Sequence, residues 1–407
     1  MQINGTRLWD SLMQMATIGA TKLGGSSRLA LTEEDRQGRD LFIQWCKDEN
    51  MIIQRDIIGN LFAVRLGDNS NLPPIVMGSH LDTQPKGGKF DGIYGVLSAL
   101  EVVRTFNENK ITTPQNLEIA VWMNEEGARF SPAMQGSAVF IGELPLEQAY
   151  QQTDHAGISV IESMKQTEQM GDLPLQRVFN SYFEAHIEQG PVLENSGSSI
   201  GIVTGGQAIL WFDITIQGFP LHAGTTPMHL RKDPLMGTAE ILVAIEAAAK
   251  QINRGLLTVG EISIATPSRN TIPDQITFTL DIRHPDLNQL DQLKAEIENI
   301  IQNISTQRNL TFTMTEIWRS PAIAFNAQCV DLVRNAVQYF DYKAEEIISG
   351  AGHDAIHLAK HCPTTMIFIP CEKGISHNEA ENITAEYATQ GANVLLHAVN
   401  NRANQRQ

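Results

Sequence analysis

Two periods of apolar spacing alternate along the chain, and the places where they switch mark its elements. Residues 33–50 set Leu41, Phe42, Trp45 and Cys46 in a charged background, the spacing of an amphipathic helix within a mainly helical stretch from 7 to 60. Residues 57–65 predict a strand with a turn at Asn60, and 75–77 a short apolar strand. Residues 92–106 are apolar almost throughout, as a buried helix returning across a sheet would be, and 117–123 is an apolar strand interrupted only by Glu118. A polar, weakly helical stretch from 150 to 180 precedes the strand-like Tyr182-Phe183-Glu184-Ala185-His186-Ile187. The strand–helix–strand rhythm predicts an α/β fold, a mostly parallel mixed sheet with helices on both faces.

The pattern changes near Gly205. Residues 208–217 alternate like a strand, and a helix of about 18 residues starts near Asp233. Strands near 261–265 and 275–283, a helix over 287–302 and a strand over 310–318 complete a β-α-β-β-α-β order, the ferredoxin-like α+β pattern. After Pro321 the α/β character resumes, with helices over 326–339, 353–361 and 384–399 and a strand over 364–370. The polar tail, 400–407, is expected to fray. The expected organisation is one catalytic domain in two parts, 1–208 and 321–407, carrying an inserted domain, 209–320, as a lid and dimerisation element.

Composition narrows the function classes. A chain of 407 residues with 42% hydrophobic and 19% charged residues is an ordinary globular one with room for a large core. A formal charge of −16 argues against nucleic acid or an anionic membrane as partner. No run approaches about 18 apolar residues, and the first residues have no signal-peptide core. The four cysteines show no C-x-x-C pairing, so a reducing cytoplasm is the expected home.

The chemistry gathers at strand ends. His80 and Asp82 lie just past the 75–77 strand, where open α/β sheets place ligands. Residues two apart on an extended chain share a side, so the Asp82 carboxylate is expected to accept the spare N–H of His80 and set its tautomer. Asp91 returns on a loop of small residues (Gly87, Gly88, Gly92, Gly95) able to fold around a cation. Glu125-Glu126, His186 and His377 follow three further strands. Singly, each segment also fits a solvated loop; together they have the composition of a two-metal site with Asp91 as the shared carboxylate. Adjacent Glu125 and Glu126 point in different directions, so one can bind metal while the other faces the attacking water. His353, His357 and His361 recur every four residues without the acidic residue of a zincin motif, which favours a helix surface.

His80-Leu81-Asp82, Asp91-Gly92, Asn124-Glu125-Glu126-Gly127, residues 184–190 (EAHIEQG) and His377-Asn378-Glu379 together resemble the dinuclear metallo-aminoacylase/carboxypeptidase superfamily. Residues 78–92, 124–130 and 349–355 are similar to its N-carbamoyl-L-amino-acid hydrolase and β-ureidopropionase branch, to which the allantoate amidohydrolases also belong. The likeness runs in order through nearly the whole chain. It implies two divalent ions per subunit, of zinc, manganese, cobalt or nickel. One would be held by His80, Asp91 and His186, the other by Asp91, Glu126 and His377, with Asp82 behind His80. Glu125 would be the general base that takes a proton from water and passes it to the leaving nitrogen. His222, within residues 218–228, is similar to a lid histidine that stabilises the oxyanion and is often supplied by the partner of a homodimer. Asn270 and Arg283 would grip the substrate carboxylate, with Gln189 and Gly352 as further contacts. The implied reaction cleaves the carbamoyl C–N bond of an N-carbamoyl-L-amino acid or N-carbamoyl-β-alanine, giving the amino acid, CO2 and ammonia. Rival expectations are an allantoate or ureidoglycolate amidohydrolase and, further off, an aminoacylase or dipeptidase. A catalytically silent metal-binding protein is disfavoured by the intact set of Glu125, His186 and His377.

Overall fold

The structure, a computed structural model, describes residues 1–405. They form two compact units, residues 1–205 with 324–405, and Gly206–Ile323.

The first unit is organised on a mixed sheet. Its neighbouring strands run Ile52–Arg55, Leu61–Arg65, Leu117–Trp122, Ile75–His80, Ser181–Ile187, Thr364–Ile369 and Ile200–Gly206, with Ala344–Ser349 also paired to the last. Leu117–Trp122, Ile75–His80, Ser181–Ile187 and Thr364–Ile369 are mutually parallel. All four are buried along their whole length, which is why they read as continuous apolar runs rather than alternating ones. Ile52–Arg55 with Leu61–Arg65, Leu61–Arg65 with Leu117–Trp122, and Ile200–Gly206 with Thr364–Ile369 pair antiparallel. Being parallel, the four central strands release their C-terminal loops at one edge, and the candidate ligands lie there, His80 and His186 on the strands themselves and Asp91, Glu126 and His377 on the loops. The helix Ile93–Glu108 packs on Ile75–His80 and Ser181–Ile187 and is buried from Ile93 to Phe106, so no polar stripe is visible in its sequence.

Several expectations are corrected here. The strand expected over 57–65 is a hairpin of Ile52–Arg55 and Leu61–Arg65. The buried Asp56 carboxylate accepts the Ile58 N–H at 3.1 Å, the Asn60 N–H at 2.9 Å and the Asn60 Nδ2–H at 2.8 Å. This side-chain-built turn overrides the strand propensity of Ile57-Ile58. The strand expected over 75–77 continues to His80, so that ligand candidate is the last strand residue and not the first of the loop. Residues 150–180 carry only the end of the short helix Leu146–Gln151 and the helix Val160–Gln166. The last helix is Ala385–Asn404, ordered where fraying was expected; residues 406–407 of that tail lie outside the described ones.

The second unit is an antiparallel sheet in the order Thr311–Ser320, Ala208–Gln217, Gln275–His284, Leu256–Thr258, with Ile262–Ile264 also on Gln275–His284. Ala208, Leu210, Phe212, Ile214 and Ile216 face one core, packed against Ile241 and Ile245 of helix Pro234–Gln251 and Leu290, Leu293, Ile297 and Ile301 of helix Leu287–Gln307. Period two on the strand and three-to-four on the helices is what one-sided burial dictates. The second strand of the expected order is split into two short pieces. Among the described residues no helix is long and apolar enough to cross a membrane.

Candidate active site

The site begins with the two buried histidines. His80 Nδ1 lies 2.9 Å from the Asp82 carbonyl oxygen, and His186 Nδ1 lies 2.9 Å from the Ile187 carbonyl oxygen. A carbonyl only accepts, so each Nδ1 carries a hydrogen, and in the neutral ring Nε2 is the nitrogen that presents a lone pair. Both Nε2 atoms converge on Asp91 Oδ1, at 3.7 Å from His80 and 3.2 Å from His186. The other oxygen, Oδ2, stands 3.5 Å from His377 Nε2, which is 3.3 Å from Glu126 Oε2. Asp91 therefore turns one oxygen to each of two groups, His80-Asp91-His186 and Asp91-Glu126-His377. Within each group the donor atoms lie within 4.8 Å of one another.

These residues fit divalent cations. Among the described residues His80 Nε2 is buried without a hydrogen-bond partner, an orphan lone pair of the kind an ion satisfies. Burial pushes Glu125 and Glu126 well above the usual carboxylate range, and neighbouring carboxylates add to this: Asp354, Glu126, Asp82 and Asp91 on Glu125, Asp91 and Asp82 on Glu126. Burial would raise Asp91 too, but the hydrogen bond and charge of His186, helped by His80 and His377, hold it well below the ordinary value. Burial lowers His80 to about 4, keeping it neutral and available as a ligand. Burial would lower His186 as well, but its hydrogen bond to Asp91 and the charges of Asp91 and Glu184 raise it to about 8, so without an ion this ring carries a proton that a bound cation displaces.

Glu125 is 7% exposed, and its Oε2 stands 3.5 Å from His80 Nε2, beside both groups. Asp82 differs from the expectation. The main-chain carbonyl of Asp82, not its carboxylate, holds the His80 ring; the carboxylate oxygen is 3.8 Å from Nδ1. That carboxylate instead accepts the N–H of Glu125 at 3.3 Å and of Glu126 at 3.2 Å, fixing the turn that carries both glutamates. The chain bends after His80, so two-apart alternation no longer applies.

Gln189, expected against substrate, donates its Nε2–H to Asp91 Oδ2 at 2.8 Å and to Ser376 Oγ at 3.1 Å. Gly352 lies beside Met134. In the second unit, the exposed His222 pairs with Thr271 in an isolated bridge, and the Ala223 N–H donates to the Asn270 carbonyl, so His222 and Asn270 sit on neighbouring segments. The Gly224 N–H donates to His222 Nδ1 at 3.0 Å, which leaves the ring hydrogen of the neutral imidazole on Nε2, free to serve as a donor. Arg283 pairs with Asp281 at 2.7 Å, and the Trp211 indole N–H donates to the same carboxylate at 3.0 Å.

His353 corrects a further expectation. It is buried, packed with its ring centroid 4.5 Å from that of His186, and caps the helix Asp354–Leu358 instead of lying on a helix surface. His361 Nε2 is engaged by the Arg177 carbonyl at 2.7 Å. A helix this short has no repeating face, so four-residue spacing says little about exposure. Sequence reasoning also passed over Glu184, Ser376 and Glu381. Glu184 accepts Ser79 Oγ–H at 2.7 Å and the Ala355 N–H at 3.1 Å. Its place two residues before His186 on a fully buried strand was the available signal.

The geometry can be set beside known proteins. The family model described as Peptidase family M20/M25/M40 matches residues 76–401. An N-carbamoyl-L-amino-acid amidohydrolase of Rhizobium meliloti is 42% identical, over 98% of this chain and 96% of that protein. The allantoate amidohydrolase of Bacillus subtilis is 30% identical, with 95% of each chain covered. The crystal structure of a hydantoinase/carbamoylase family amidase from Burkholderia ambifaria is 49% identical and superimposes with a TM-score of 0.93, covering 100% of this chain and 99% of that one. The chain described here belongs to peptidase family M20/M25/M40.

Proposed function

We propose that the chain is a two-metal amidohydrolase that cleaves the carbamoyl C–N bond of N-carbamoyl-L-amino acids, releasing the amino acid, CO2 and ammonia. The observation that carries the reading is Asp91 with one oxygen toward His80 and His186 and the other toward His377, and Glu125 alongside. The name of the Rhizobium meliloti relative supports the carbamoyl substrate. His80, Asp91 and His186 would hold one ion and Asp91, Glu126 and His377 the other, of zinc, manganese, cobalt or nickel, all of which suit mixed imidazole and carboxylate donors. When bound, such ions polarise a ureido carbonyl and acidify the attacking water.

The rest of the work falls to the chain. Glu125 takes the proton from the water and delivers it to the nitrogen that leaves, so one carboxylate serves both halves of the reaction. Its buried position keeps bulk water from competing for that proton. His222, with its hydrogen on Nε2, donates to the carbonyl oxygen as negative charge develops there. Arg283 and Asn270 hold the carboxylate of the substrate, while Gln189, as Asp91's partner, orients the shared ligand. A homodimer joined through the second unit and a cytoplasmic location belong to the same reading.

Replacing His222 with Ala is expected to lower kcat by about 10²- to 10³-fold, the usual loss on removing an oxyanion donor. Its metal content should equal that of the wild type, because among the described residues the candidate ligand groups all lie in the first unit. Rates within a factor of about three of wild type would remove His222 from this role.

The test of the whole reading is to strip the protein with a chelator, restore Mn²⁺ or Zn²⁺, and assay one panel. The panel contains N-carbamoyl-L-α-amino acids, N-carbamoyl-β-alanine, allantoate and an N-acetyl amino acid followed by its free amine. Metal-dependent turnover confined to carbamoyl substrates is expected. The second reading, an allantoate amidohydrolase, is supported by the Bacillus subtilis relative and takes over if allantoate alone is turned over.

A further inference from the structure

Behind the candidate ligands lies a buried carboxylate that the proposed reaction does not use. Glu381 is 1% exposed. It accepts the Phe90 N–H at 3.0 Å and the Asp91 N–H at 3.1 Å, both through Oε1. Its second oxygen, Oε2, stands 3.2 Å from Ser376 Oγ, which is itself 3.0 Å from Asp91 Oδ2. Glu381 thus holds Asp91 directly at the main chain, and Ser376 Oγ, whose one hydrogen can go to either oxygen, stands between the two carboxylates. The neighbouring loop approaches it closely: a Cβ on Gly88 would lie 2.0 Å from the Glu381 carboxylate, so a side chain there would push that carboxylate from its place.

The same contacts reach His377. That residue follows Ser376 directly, its side chain is 52% exposed, and its φ of 53° lies in the left-handed region disfavoured for a residue with a Cβ. His80 and His186, in contrast, are fixed by buried strands and by main-chain carbonyls. The group Asp91-Glu126-His377 therefore depends on a loop attachment that the group His80-Asp91-His186 does not need.

We infer that Glu381, acting through Ser376 and the Asp91 main chain, is a positioning residue that pins the His377 loop to Asp91 and so preorganises the second cation group. The inference rests on the two-metal reading above. It assigns Glu381 no contact with substrate and no proton transfer. A carboxylate is also not strictly required. The Ser376 hydroxyl has one hydrogen and stands between two carboxylates. A glutamine at 381 could accept both main-chain N–H groups through its oxygen and donate its amide hydrogen to Ser376, leaving the hydroxyl hydrogen for Asp91. The arrangement would survive Glu381→Gln and be lost in Glu381→Ala.

The experiment is a calorimetric Zn²⁺ titration of chelator-stripped wild type, Glu381→Ala, Glu381→Gln and Ser376→Ala, with a competing chelator to resolve the tight site. Wild type is expected to take up two ions. Glu381→Ala and Ser376→Ala should keep the first and bind the second about 10- to 100-fold more weakly, the usual effect of removing a partner of a metal ligand. Glu381→Gln should stay within about threefold of wild type at both. Should Glu381→Ala fail to fold by circular dichroism, Ser376→Ala decides, since it leaves both Glu381 main-chain bonds intact. Wild-type affinity for the second ion in the alanine variant that folds overturns the inference, and so does a Glu381→Gln as weak as Glu381→Ala. Fewer than two ions on the wild type instead overturns the two-metal reading, and this inference with it.

Discussion

Glu125→Gln is expected to bind the wild-type complement of metal and to lose turnover by about 10³-fold, within the range that positioned general bases contribute. The substitution is nearly isosteric, and the side chain sits in a buried position where its bulk is already accommodated. The amide cannot take up a proton from water, nor hand one to a leaving nitrogen, so both proton transfers fail together. Neither cation group includes Glu125, which predicts unchanged metal stoichiometry. Two measurements decide this: metal content after dialysis, and the initial rate on the best carbamoyl substrate. A variant retaining more than about a tenth of the wild-type rate would exclude Glu125 as the base, and loss of an ion would make it a ligand.

Gly92→Ala should damage the same site by a steric route. Gly92 has a φ of 71° and precedes the helix Ile93–Glu108, and a Cβ there would lie 2.3 Å from His80 Cε1 and 2.4 Å from His80 Nε2. The ring cannot retreat, because it is buried and tied at Nδ1 to the Asp82 carbonyl. The Gly92 N–H also donates to His186 Nε2 at 3.1 Å, so a shift of the loop disturbs both histidines. Left-handed strain and overpacking together are expected to cost the metal-free protein about 2–5 kcal/mol. Affinity for the ion at His80, Asp91 and His186 should fall with it. Gly24→Ala is the control, because Gly24 has a φ of 90° with nothing within 4 Å of its would-be Cβ. Urea unfolding of the two metal-free variants separates strain from collision. Equal stabilities would mean that the His80 ring moves aside at little cost, against the close packing described here.

The metal-ligand candidates were legible because His80, Glu126 and His186 lie at or near the C-terminal end of an apolar strand, and Asp91 and His377 on loops that follow one, and the periodicity that marks the strand also locates its end. The parallel block could be read from strand–helix–strand order, and the second unit from its alternating Ala208–Gln217 strand. Less legible were features that depend on where two distant loops meet. Nothing local in Gln189 shows that its amide reaches Asp91, or in Glu381 that it reaches Phe90, nearly three hundred residues earlier in the chain. His353 was misplaced for the same reason: its spacing fits a helix, but its burial comes from the strands packed around it.

By itself the sequence determined the element types, the α/β class and the chemical identities of the candidate ligands. These follow from residue type and from periods of two and three to four, which are short-range properties of the chain. Tertiary structure alone decided which oxygen of Asp91 faces which histidine, which nitrogen of each ring is free, and that the Asp82 carboxylate holds a turn and not a ring. Hydrogen bonds are decided over tenths of an ångström and by direction, and that precision exists only once strands far apart in sequence have packed into one sheet.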